Sequence, residues 1–306
     1  MTEQIQDIWH APPELPEWLE EVFPFRRRIF RGGRWAMHFV DEGEGPVVLM
    51  QHGNPTWSFL WRKVIRRLAD ENVRVIAPDM VGLGLSDKPR EVGLHSLRFH
   101  ALNLGRLVEA LDLRQMIIVG QDWGGPILAS MAARNPERVA GAVFANTGLS
   151  PPKKKRPLSF FHLLAHLPLA STLLFKGLNF PVYLMHRVQG DPASIGAAER
   201  RAYGWPLRRF RDRTAPLALA RLVPTGPDHP AARDMRLARE WGQAFSGPVR
   251  LVWGLKDPIL GRALKSMRGI FPSAHVTETQ AGHFLQEEVP EILADAILDV
   301  LRVLQP

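Results

Sequence analysis

The sequence predicts an α/β protein with a mostly parallel central sheet, helices on its faces and a helical segment inserted late in the chain. Three observations carry that expectation. Short strand-like runs at residues 47–50, 73–77, 116–119, 142–145, 249–253 and 275–279 alternate with stretches of helical spacing, the pattern of βαβ units. The stretch MIIVGQDWGGP at 116–126 reads as a buried strand turning sharply into a helix through close-set glycines. The alternation breaks at residue 150 and resumes near 231, so residues 1–149 and 231–306 are expected to form one main domain and 150–230 a helical cap.

Residues 30–41, FRGGRWAMHFVD, read as a hairpin with Gly32 and Gly33 near the turn. The strand at 47–50 ends in QHGNP. A helix over 59–68 should turn Arg62, Lys63, Arg66 and Arg67 towards water. The strand at 73–77 closes in the turn-rich loop PDMVGLGLSDKP. Leu104, Leu107, Val108 and Leu111 mark one face of the next helix, which leads into the strand at 116. Beyond the insertion come a helix over 234–244, two strands, and a closing helix over 289–304 with Ile292, Ile297, Val300 and Leu301 for the core. Parallel sheets hold ligands at the carboxyl ends of their strands, where both Asn54 and Asp122 should emerge.

With 306 residues the chain can bury a large core, and with no cysteine it has neither disulfides nor thiol chemistry. Residues 1–18 are mixed in charge and broken by proline, which suits neither a signal peptide nor a membrane span; a cytoplasmic enzyme is expected. Of the net charge of +8, residues 151–230 supply 13 Lys and Arg against four Asp and Glu, +9, leaving −1 elsewhere. No nucleic-acid motif accompanies this excess, so a solvated surface is preferred to an anionic partner and both to nucleic acid. The apolar run at 160–175 is too short to cross a bilayer and is interrupted by His162, His166 and Pro168. It reads as a cap helix roofing an apolar pocket, ahead of an interfacial membrane contact or a subunit interface.

A sharp strand-to-helix turn of the form G-x-Nuc-x-G exposes one strained side chain, and here that side chain is Asp122. A carboxylate can displace a leaving group from an alkyl carbon and form an ester. Breaking that ester needs a histidine to activate water, an acid to orient it and donors for an oxyanion. Asp122, Asp257 and His283 occur in the order nucleophile, acid, histidine, each just after a predicted strand, as the α/β-hydrolase arrangement requires. The rival place for the acid, after the strand at 142–145, holds Asn146, which cannot carry charge. Backbone N–H groups of Asn54 and Trp123 are placed for an oxyanion hole. Their side-chain amide and indole N–H groups are neutral donors suited to a departing halide. His162 and His166 are spaced like metal ligands but lack a third, Asp79 reads as structural, and Gly82 and Gly84 fit no phosphate loop, so no metal or cofactor is expected.

These residues resemble the haloalkane dehalogenases. The matching pieces are HGNPTWSFLWR (52–62), PDMVGLGLSDKP (78–89), VGQDWGGP (119–126), WGLKDP (253–258) and AGHFLQEEVP (281–290). The resemblance implies an α/β-hydrolase fold and cofactor-free hydrolysis of a small halogenated aliphatic substrate to alcohol, halide and proton. Asp122 would be the nucleophile, His283 the base, Asp257 the acid, and Asn54 and Trp123 the halide site. The set looks like the subgroup with an Asp-His-Asp triad and an Asn-Trp halide site, and departs from those with glutamate near 146 or a halide-binding cap tryptophan; Trp205, alone in the cap, is left open as a helper. The rival is an epoxide hydrolase with Tyr183 and Tyr203 as acids, although Asn54 stands where such enzymes usually carry a large apolar residue. A luciferase-like monooxygenase and a non-catalytic small-molecule receptor are smaller alternatives. The basic cap could equally be a surface for homo-oligomer assembly.

Overall fold

The computed structural model describes residues 8–305. Its centre is a nine-stranded sheet in the order β1-β2-β3-β5-β4-β6-β7-β8-β9. The strands are β1 (Trp9–His10), β2 (Arg27–Phe30), β3 (Met37–Gly43), β4 (Val47–Gln51), β5 (Arg74–Pro78), β6 (Met116–Asp122), β7 (Val139–Thr147), β8 (Val249–Gly254) and β9 (His275–Thr279). The first three join antiparallel, β3 meets β5 antiparallel, and every pair from β5 to β9 is parallel. The order reverses around β4, so the β4 and β6 exits lie side by side with Gln51 opposite Gly120. Of the expected hairpin, β2 and β3 are its two arms.

The central strands β4 and β6 are near-continuous apolar runs because helices cover both faces. Leu97–Ala110 buries Leu104, Leu107 and Val108, Ala232–Ala244 buries Met235, Ala238 and Trp241, and Pro290–Leu304 buries Leu293, Ile297 and Val300. Some positions differ from the expected faces. Leu111, Ile292 and Leu301 are only half-buried, the last two beside the fully covered Leu293 and Val300. Arg62, expected in water, is buried at the start of the helix Arg62–Arg67. Its guanidinium donates to both carboxylate oxygens of Glu287, at 2.5 and 2.8 Å, and lies 4.0 Å over the Phe59 ring. Lys63 also reaches Glu287, at 3.0 Å, whereas Arg66 and Arg67 are exposed as expected.

Between β7 and β8 the chain makes short helical pieces: Phe160–His166, Pro168–Ser171, Thr172–Gly177, Phe180–Tyr183, Ala197–Gly204 and Thr214–Arg221. This segment lies over the carboxyl ends of the strands. The Trp57 indole N–H donates to the Ala202 carbonyl at 3.2 Å, the Asn54 amide to Pro216 at 3.1 Å, and the His283 N–H to Val188 at 2.8 Å. Among the described residues no helix is long and apolar enough to cross a membrane. Asp79 is buried in the loop after β5, where it accepts from the Ser58 and Leu85 N–H groups and pairs with His38 at 2.8 Å. Burial pushes its carboxyl up, but His38, His52 and the Leu85 N–H outweigh that and hold it at about 2.

Candidate active site

Asp122 ends β6 in the left-handed region, with φ of 51°. A non-glycine residue there is strained, and the strain is held by what surrounds it. The helix Gly124–Ala132 starts two residues later. A Cβ on Gly124 would overlap the Gln51 carbonyl, and one on Gly53 would overlap the Asp122 carboxylate, so the two strand exits approach only because both positions are glycine. The Thr147 hydroxyl donates to the Asp122 carbonyl at 2.6 Å and holds the turn from the β7 side.

The Asp122 side chain keeps 15% of its surface accessible. Its Oδ1 accepts the Asn54 backbone N–H at 2.8 Å, and the Trp123 N–H also faces the carboxylate. Burial raises its pKa above the ordinary carboxylate range; His283 and these two N–H groups oppose the rise without cancelling it. Oδ2 lies 3.7 Å from His283 Nε2, too far for a direct hydrogen bond. On the far side of the ring, His283 Nδ1 is 2.9 Å from Asp257 Oδ2. Burial alone would depress the imidazole, but the adjacent carboxylates of Asp257 and Asp122 more than reverse it, so His283 titrates above its ordinary value. Asp257 is buried, which pushes its pKa up, yet the His283 ring and the N–H groups of Ile259 and Leu260 bring it below normal. The Ile259 N–H reaches Asp257 Oδ1 at 2.7 Å.

The structure thus gathers Asp122, His283, Asp257, Asn54 and Trp123 at one place, from the exits of four strands, β4, β6, β8 and β9. One Asn54 amide hydrogen goes to Pro216, leaving the other uncommitted, and Trp123 is 7% exposed at the start of the elbow helix. The alternative residues lie apart. The Tyr203 hydroxyl is buried and donates to Glu287 at 2.5 Å, and Tyr183 is 62% exposed on the outer surface. Trp205 packs edge-on against Trp18 at 5.9 Å with Arg208 over its ring at 4.2 Å. His162 and His166 are occupied locally, by the Ser159 hydroxyl at 2.7 Å and by the His162 carbonyl at 2.8 Å. Among the described residues no cluster of three or more His, Cys, Asp or Glu could hold a metal.

Several supporting residues escape a sequence reading. Asn146, set aside as an acid, donates its amide to Asp257 Oδ2 at 2.8 Å and to the Gly254 and Gly282 carbonyls, and accepts the Gly254 N–H at 2.8 Å. It braces Asp257 instead of standing in its place. Gln121 donates to the His283 carbonyl at 3.0 Å and lies 3.2 Å from its Nε2. From the inserted segment, the Gln189 amide brackets Phe284 by accepting its N–H at 2.9 Å and donating to its carbonyl at 3.1 Å. Only the position of Asn146, at the end of a strand beside β8, gave any signal in the sequence.

Comparison with known proteins places the chain in a family. Residues 46–168 match the α/β-hydrolase fold family. Haloalkane dehalogenase 2 of Mycobacterium tuberculosis is 34% identical over 91% of this chain and 96% of its own length. The chain belongs to the haloalkane dehalogenase family. As a member of that family it is an α/β-hydrolase-fold enzyme of the carbon–halide class. The tetrameric haloalkane dehalogenase DpaA from Paraglaciecola agarilytica superimposes with a TM-score of 0.79 at 28% identity, covering 94% of this chain and 98% of its own. A differently named relative, the cis-3-alkyl-4-alkyloxetan-2-one decarboxylase of Shewanella oneidensis, is 31% identical over 89% of this chain and 87% of its own.

Proposed function

We propose that this dehalogenase family member hydrolyses small haloalkanes through an ester on Asp122, with residues 150–230 acting as the cap over the site. The observation that carries the reading is the division of labour between the two Asp122 oxygens. Oδ1 accepts the Asn54 N–H, and the Trp123 N–H faces the same carboxylate, which leaves Oδ2, on the His283 side, to attack the carbon that bears the halogen. The carbon–oxygen bond forms as the carbon–halogen bond breaks, and the halide leaves with the bonding pair towards the Asn54 amide and the Trp123 indole. Those neutral donors solvate the anion without an ion pair. In the second step His283 Nε2 takes a proton from water, and the hydroxide attacks Cγ of Asp122. The oxyanion forms on Oδ1, where the Asn54 N–H already donates and the Trp123 N–H stands beside the carboxylate. Collapse releases the alkoxide, which takes the proton back from the imidazolium, and the carboxylate regenerated on Asp122 leaves one net proton in solution. Asp257 orients the ring and stabilises its charged form. This reading needs no metal or cofactor and fits a cytoplasmic enzyme.

Neither cap tyrosine is placed to protonate an epoxide: Tyr203 is committed to Glu287 and Tyr183 points outward. A second reading, opening of a cis-3-alkyl-4-alkyloxetan-2-one, is favoured by the relative of that activity, since a ring carboxylate can leave an alkyl carbon as a halide does. Incubation with 1-bromobutane, 1,2-dibromoethane, styrene oxide and a cis-dialkyl oxetanone separates these readings. Halide release is expected; diol or alkene without halide overturns the proposal. A His283→Phe variant should accumulate the alkylated Asp122, seen as a mass increase of one alkyl group on the intact protein. Absence of that adduct in a folded variant that still binds substrate would rule out the ester.

A further inference from the structure

The cap's outer layer is built like a membrane-facing surface rather than a solvated one. In Phe160–His166, Phe161 and Ala165 turn inward at a spacing of four, while Phe160 and Leu163 turn outward, in line with Leu167. The following pieces repeat the arrangement. Phe175 is buried with Ala165, Leu217 and Ala220, and Leu169 and Leu173 face out. The outward side chains are large and open: Phe160 is 76% exposed, Leu169 88% and Leu173 61%. Single exposed leucines are ordinary, but a run of them along one face marks an interaction surface.

Charge identifies the partner. Residues 151–184 contain five Lys and Arg and no Asp or Glu. Lys153, Lys154, Lys155 and Arg156 are all exposed immediately before Phe160, and Lys176 lies 4.9 Å over the exposed Phe210 ring at the other end. Beside the first group a cleft of about 370 Å³ is lined by Lys155, Arg156 and His229, with Asp228 as its one carboxylate. A second copy of the chain would bring the same cations against these across a self-complementary contact. A surface that is both anionic and apolar suits them, and an anionic bilayer offers lipid headgroups for the cations and acyl chains for the leucines.

We infer that the cap face formed by residues 153–176 docks on the surface of anionic phospholipid bilayers. The face lies one layer above the site: it packs on Leu217 and Ala220, and Pro216 of the same helix accepts the Asn54 amide. Docked in this way, the enzyme sits with its roof against the phase in which apolar substrates dissolve.

Flotation with vesicles of phosphatidylcholine alone, and of equimolar phosphatidylcholine and phosphatidylglycerol, tests the docking without reference to catalysis. Binding to the mixed vesicles is expected to exceed binding to phosphatidylcholine at least tenfold and to weaken with salt. Replacing Lys153, Lys154, Lys155 and Arg156 together by Gln should abolish that preference. Leu169→Glu with Leu173→Glu should abolish binding outright. Activity on a water-soluble haloalkane without vesicles should be unchanged in both variants. Equal binding to the two vesicle types, no binding to either, or binding that survives both variants overturns the inference. So does a dimer in vesicle-free light scattering that the leucine variant dissociates, because the face would then belong to a second copy.

Discussion

At the scale of single residues, Asp257 and His283 divide the control of the proton. The second step needs a neutral imidazole, and on the ester, where Asp122 carries no charge, Asp257 is the carboxylate left to raise His283. The kcat profile should therefore climb along an acid limb set by that ring and flatten on the alkaline side. Asp257→Asn removes the dominant upward influence and leaves burial, which acts downward, so the limb should move to lower pH. The rate should fall about a hundredfold to ten-thousandfold as the ring loses its orientation. A drop in rate with the limb unmoved would assign Asp257 a structural part only. The positions of Asp122, Asp257 and His283 were legible because each follows a strand recognisable by its own local pattern. The part played by Asn146 was not. Its lack of charge excluded it as an acid, and only the pairing of β7 with β8 shows that its amide braces the carboxylate that does the work.

At the scale of elements, the clasp between the helix Arg62–Arg67, Glu287 and the helix Ala197–Gly204 shows why amphipathic spacing misassigned Arg62. A helix that begins at the base of an inserted layer meets protein where the pattern anticipates water, and an arginine is tolerated there only with a buried carboxylate opposite. Glu287 sits 225 residues further along, so no local window joins the two. Breaking one partner should be costly: Glu287→Gln is expected to destabilise by about 3–5 kcal/mol in urea unfolding. Tyr203→Phe should cost only about 1–2 kcal/mol and leave kcat for haloalkanes unaltered. Loss of turnover in the Phe variant with stability retained would restore the cap tyrosine to the chemistry. The strands and the long helices, by contrast, follow from runs of four to fifteen residues whose apolar periodicity is self-contained, and their order in the chain implied the parallel sheet.

At the scale of the molecule, the proposed catalytic pair of Asp257 and His283 links activity to stability in opposite directions. Asp257 is lowered in the folded state, so its contribution is present above the ordinary 3.8 and lost as pH falls through its folded value. His283 is raised, so its contribution is complete below 6.5 and lost as pH rises through its folded value. The pair therefore stabilises most between those two values and weakens as the base becomes neutral and active. Thermal unfolding of the protein should lose stability across the alkaline limb relative to His283→Phe; parallel profiles would contradict the linkage. What the sequence could not disclose at this scale is how the inserted segment seats, because its bonds to the main sheet span about a hundred residues or more. Those bonds bear on traffic. The backbone of the base hangs from Val188, and Gln189 grips the next residue. Swinging the roof aside as a rigid hatch would unhook the very histidine it shelters. If residues 150–230 cap the site as proposed, a rigid opening would cost these bonds, whereas passage of substrate and alcohol between side chains would not.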